Sequence, residues 1–128
     1  LGSDIFNSAY LNIVLIWNKG IAFGLLSFNE SHLYNILSLI ISIIVVILVI
    51  MSLKSHGFKR YSLLMIVGGA LGNLHDRIFF NAVPDFIDFH IENFHWFIFN
   101  VADIFISLGV IFMIIFELID NNKKNEKF

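Results

Sequence analysis

The chain has 128 residues, of which 58% are hydrophobic, 14% charged and 15 are Phe, with a formal net charge of −2. A soluble domain carries about 25% charge, so this composition predicts a polytopic membrane protein, and so small a net charge gives no reason to expect a nucleic-acid partner. Cysteine is absent, which rules out a thiol nucleophile, thiolate metal ligands and disulfides.

The chain begins at Leu1 rather than Met, which reads as a fragment or processed form, and Leu1–Asn7 lacks the basic start and apolar core of a signal peptide. Tyr10–Trp17 reads as a strand, followed by a turn at Asn18, Lys19 and Gly20. Residues 10–32 are therefore expected to form an outward-facing β and loop region, with Tyr10 and Trp17 at the lipid interface. Residues 33–53 carry no charge and predict a first transmembrane helix. Lys54–Arg60 is a short basic loop. A second span is expected over 61–80 and a third over 95–117, where Trp96–Phe116 has Asp103 as its single charge. Residues 118–128 are polar and Lys-rich and predict a disordered cytoplasmic tail. The basic residues Lys54, Lys59, Arg60, Lys123, Lys124 and Lys127 place loop 54–60 and the C-terminus in the cytoplasm by the positive-inside rule. The expectation is one membrane domain over 1–128: an all-α bundle with a small extracytoplasmic β-rich cradle.

A carboxylate at membrane depth costs roughly 2.5–3.5 kcal/mol on insertion scales, so Asp103 calls for a functional explanation. Asp76, Asp85 and Asp88 lie on the same outer side. Two carboxylates close together in a dry site share a proton, so that one serves as base and the other as acid. Such a pair activates water without metal or covalent nucleophile. The residues alone leave open which aspartate partners Asp103.

Other chemistries fit less well. His90 to His95 is not an HExxH pattern, and its two histidines are five apart, off a common helical face, so no metal site is expected. Ser62 and Ser107 lack a nucleophile-elbow setting and read as helix-packing hydroxyls. Gly68 and Gly72 have the small-xxx-small spacing of close helix contacts, a structural role. Asn73, Asp76 and Arg77 fall on one helical face, with Arg77 expected to pair with Asp76 or snorkel to headgroups. Asn100 and Asp103 also share a face, so Asn100 is a candidate hydrogen-bond partner for the pair or for substrate.

Four blocks occur in order: NKGIAFG (Asn18–Gly24), GGALGNLHDR (Gly68–Arg77), VPDFIDF (Val83–Phe89) and FNVAD (Phe99–Asp103). Together they resemble lipoprotein signal peptidase, signal peptidase II, a family of bacterial membrane aspartic proteases. The resemblance runs from Tyr10 to Phe116. It implies four transmembrane helices in the full family fold, three of them in this chain. It implies cleavage of prolipoproteins just before a diacylglyceryl-modified cysteine, in the inner membrane with the active site outward. It implies Asp85 and Asp103 as the catalytic dyad, with Asn18, Gly20, Asn73, Arg77 and Asn100 near the substrate and Asp76 structural. The partners it implies are the lipid-modified precursor and membrane lipids, with no metal or cofactor and a monomeric enzyme. Three features depart from the family pattern: its first helix, with a DQxTK-like block, has no match here; Ile21 stands for an alanine; and Pro84 stands for Val before Asp85. Two other readings are a small transporter or assembly factor, with Asp103 as an ion or proton relay, and a pseudo-peptidase that binds precursors without cutting them.

Overall fold

The computed structural model describes residues 5–20 and 31–125. In chain order they form β1 (Leu11–Asn18), α1 (Ser31–Lys54), α2 (Gly57–Phe80), β2 (Val83–Ile91), β3 (Phe94–Phe99) and α3 (Val101–Asn125). All three helices are long and apolar enough to cross a membrane. At ~1.5 Å rise per residue each reaches beyond a ~30 Å hydrocarbon core. Their outward faces expose large apolar side chains such as Leu39, Ile43, Ile47, Phe105 and Ile111. Lipid is the solvent that makes such a surface stable, because each helix satisfies its own backbone groups.

Helix α2 lies between α1 and α3 and buries more residues than either: Ser62, Leu63, Ile66, Val67, Gly69 and Arg77. Helix α1 contributes Tyr34, Leu37, Val45 and Ser52. The turn from α1 to α2 is made at Gly57, whose φ of +59° suits a residue without Cβ. The sheet is antiparallel in the order β1-β2-β3. Pro84 is the second residue of its central strand. It pairs only with β1, through Trp17, because β3 contacts begin at Ile87. At that position β2 is effectively an edge, where a missing N–H is tolerated.

Several boundaries differ from the sequence expectation. The third span begins at Val101, not at residue 95 or 96, because Phe94–Phe99 is a strand. That run is apolar on both faces and shows no alternation that would set it apart from a helix. Asp103 therefore lies in the first turn of α3 rather than mid-span. The second span starts at Gly57, four residues before the expected 61, so only Ser55 and His56 separate α1 from α2. The expected disordered tail is helical through Asn125: Asp120 and Lys124 pair at i,i+4, and Lys123 and Lys124 complement the helix C-terminus. Of the expected 10–32 region, Ile21–Glu30 lies outside the described residues.

The close helix contact is also made by other glycines than expected. Gly68 and Gly72 are exposed: a Cβ on Gly68 would meet nothing within 4 Å, and one on Gly72 would rest 3.7 Å from the Ala102 Cβ. Gly69 is the buried one. A Cβ there would fall on the Ala102 carbonyl oxygen and lie 2.7 Å from Ile106 Cγ1. Gly109 mirrors it, with a Cβ position 2.6 Å from Ile66 Cγ1 and 2.8 Å from the Ser62 carbonyl oxygen. The spacing motif was present, but tertiary packing decides which face turns inward. Gly69→Ala should accordingly destabilise the fold by about 1–3 kcal/mol through overpacking. Gly68→Ala should stay within about 0.5 kcal/mol of the parent. Thermal unfolding in detergent checks this, and equal effects of the two would contradict the packing described.

Candidate active site

The start of α3 is fixed by its own sequence. Asn100 caps it: its side-chain Oδ1 accepts from the Asp103 backbone N–H (3.1 Å), while Asp103 Oδ2 accepts from the Asn100 backbone N–H (3.1 Å). This reciprocal pair is a capping box, which satisfies two otherwise orphaned donors and locks both side chains in place. Asp103 is thereby held in the first turn of α3, next to the end of β3.

Around that corner four elements deliver polar side chains. Asn100 Nδ2 donates to Asp85 Oδ1 on β2 (2.9 Å) and to Asn73 Oδ1 on α2 (3.1 Å). Asn73 Nδ2 in turn donates to Asp103 Oδ1 (2.9 Å). Asn18, at the end of β1, donates through Nδ2 to Asp85 Oδ2 (2.8 Å). All four carboxylate oxygens thus accept an N–H, and among the described residues none forms an ion pair. Asp85 and Asp103 are both buried, at 2% and 3% exposure, and Asn100 joins their networks directly. Burial in this corner pushes Asp85 above the usual carboxylate range; the nearby Asp103 charge pushes it further, against the opposing effects of Asn18, Asn100 and Arg77.

Arg77 is buried near the end of α2, not snorkelling and not paired with Asp76. Its Nη2 donates to the Gly20 carbonyl, and the Gly20 N–H donates to Asn18 Oδ1 (2.7 Å). The guanidinium therefore braces the turn that aims Asn18 at Asp85. Tyr34 on α1 supports the same point, its hydroxyl donating to the Arg77 carbonyl (3.3 Å). Nε and Nη1 of Arg77 are buried with no hydrogen-bond partner among the described residues.

The other two aspartates go elsewhere. Asp76 contacts His75 (3.2 Å), and Asp88 contacts His95 Nδ1 (2.7 Å). Asp85 is thus the aspartate that shares Asn100 with Asp103, a choice the residues alone had left open. The helical-face argument about His90 and His95 does not apply, because their segment is a hairpin in which the two are cross-strand partners. The chain order also hid Asn100's double role. The Asn-x-x-Asp spacing just before an apolar run was the available signal for a helix start at Val101.

Chemically, two buried carboxylates held by neutral amides can keep one proton between them and act on a water molecule. Comparison with known proteins points to a family of peptidases. The family profile for signal peptidase (SPase) II matches residues 2–119. The lipoprotein signal peptidase of Pelagibacter ubique is 54% identical over 125 residues, covering 97% of this chain and 75% of that protein. The lipoprotein signal peptidase of Anaplasma phagocytophilum is 44% identical, covering 95% and 78%. A bacterial membrane enzyme solved by the in meso method at 2.3 Å resolution superposes with a TM-score of 0.77 at 31% identity, covering 97% of this chain and 76% of that one.

Proposed function

The chain belongs to the signal peptidase II family, and from that premise we propose that Asp85 and Asp103 are the aspartic dyad with which it hydrolyses its substrate. It is a multi-pass inner-membrane peptidase that cleaves the signal peptides of prolipoproteins. The observation that carries the dyad is the amide bridge: Asn100 Nδ2 binds Asp85 while the Asn100 backbone and side chain bind Asp103.

In this proposal Asp85, whose protonated form burial favours, starts as the acid, and its partner Asp103 acts as the base. Asp103 takes a proton from water as the water oxygen forms a bond to the scissile carbonyl carbon. Asp85 gives its proton to the carbonyl oxygen. The resulting gem-diol collapses as its C–N bond breaks: Asp103 passes its proton to the leaving nitrogen while Asp85 takes a hydroxyl proton from the gem-diol, so that the pair returns to one shared proton. The pair titrates as a unit. Asn18 and Asn73 hold the carboxylates from either side, and Arg77 steadies the Asn18–Gly20 turn. Its unpartnered Nε and Nη1 suit a peptide carbonyl or lipid headgroup oxygen of the precursor.

The substrate's signal helix reaches the site laterally among the spans, so the acyl chains of the modified cysteine stay in the bilayer. The Ser55–His56 turn, with the flanking Lys54, Lys59 and Arg60, and the α3 C-terminal end face the cytoplasm, and the sheet faces outward. Exposed Trp17, Trp96 and Phe97 on the sheet fit an interfacial position. The test is cleavage by the purified protein in a lipid bilayer. A diacylglyceryl-modified precursor should be cut just before the modified cysteine and an unmodified one left intact. Equal cutting of both, or cutting elsewhere, would contradict this specificity.

A further inference from the structure

Hairpin β2–β3 carries a second cluster of polar side chains, Asp88, His90 and His95. Alternation along β2 puts Asp88 and His90 on one face of the strand and Asp85 on the other. A bulge in β3 brings His95 to them. Up to the pair Phe89↔Phe97 the ladder is regular; the next pair is His90↔His95, so Trp96 is an extra residue. Without it His95 would stand opposite Ile91 and point to the other face, since a one-residue slip flips every side chain.

The three residues each offer a ligand atom, and these atoms lie within 4.8 Å of one another. His95 Nδ1 already sits 2.9 and 2.7 Å from the two Asp88 oxygens. An Asp–His hydrogen bond explains those two residues. It does not explain His90, which is 7% exposed and whose Nδ1 is buried with no hydrogen-bond partner among the described residues. Buried polar atoms are ordinarily satisfied, and hydrogen bonding among the described residues leaves the His90 imidazole, a member of this cluster, without that account.

We propose that Asp88, His90 and His95 form a binding site for a divalent transition ion of the zinc class, separate from the peptidase site. Two imidazoles and one carboxylate suit Zn²⁺ rather than Mg²⁺ or Ca²⁺, which take oxygen ligands. Tetrahedral zinc with bonds of about 2.0–2.2 Å sets its ligand atoms roughly 3.3 Å apart. The His95 side chain, 52% exposed, is free to rotate into that geometry and leaves the fourth position open to water. The ion would clamp β3 to β2. Since β2 carries Asp85 and β3 runs into Asn100, the clamp stiffens the segment that joins the two halves of the dyad.

Zinc titration of the metal-stripped full chain in detergent, followed by calorimetry, tests the site. One Zn²⁺ per chain is expected, with affinity lowered about tenfold or more in both His90→Gln and His95→Gln. No saturable binding by the parent, or unchanged affinity in His90→Gln, would overturn the proposal. X-ray absorption of the zinc-loaded parent needs no variant and guards against misfolding of either one. It should show two imidazole nitrogens at about 2.0–2.1 Å; one or none would equally overturn it.

Discussion

Replacing either Asp85 or Asp103 with Asn is expected to slow prolipoprotein cleavage by about 10²–10⁴-fold, the usual contribution of a positioned acid or base. Asn keeps the side-chain shape, so the loss should appear in turnover and not as unfolding. Stability gives an independent check with a definite sign. Burial raises Asp85 above its ordinary value of 3.8. Its contribution to folding is therefore fully present below that ordinary value and is lost as pH rises through the raised one. Asp85→Asn removes that loss. The variant should melt at a higher temperature than the parent at neutral pH, and the gap should close in acid. An inactive variant that is also less stable at neutral pH would contradict the burial argument.

Asn100 should be the next most sensitive position, because one side chain does two jobs. Asn100→Ala removes the α3 cap, costing about 0.5–2 kcal/mol. It also removes the amide that holds Asp85 beside Asp103, and a misplacement near 1 Å costs on the order of 10²-fold in rate. Asn100→Ser separates the two effects. Serine caps helices as well as asparagine does, but it is too short to reach Asp85 and Asn73. Thermal stability should return in the Ser variant while activity stays low. Recovery of both would show that the amide bridge is dispensable.

The sequence made some of this arrangement plain and concealed the rest for identifiable reasons. Asp103 stood out because a lone carboxylate bordered a long apolar run. Its place in the first turn of a helix is hidden, since Phe94–Phe99 is apolar on both faces and merges with α3 in a hydropathy reading. The hairpin turn gave little warning: it uses Glu92 at φ +52° rather than a glycine. The last two turns of α3 looked disordered by composition, while the Asp120–Lys124 pair and the terminal lysines favour helix. Gly69 could not be told from Gly68 and Gly72 because only packing against Ala102 and Ile106 distinguishes them. Likewise, a strand bulge brings His95 to His90 and Asp88, and a spacing rule for helices cannot see it. The ordered blocks of sequence, rather than any periodicity, singled out Asp85. Asn100 bonds both Asp85 and Asp103, a link that chain order does not reveal.

Single-turnover cleavage of a diacylglyceryl-modified precursor by Asp85→Asn, Asp103→Asn and the double variant tests most directly whether the two carboxylates work as one unit. With a shared proton, losing either partner disables the pair, so the double variant should be no slower than the slower single variant. Losses that multiply in the double variant would mean two independent residues, and the shared-proton mechanism would be wrong.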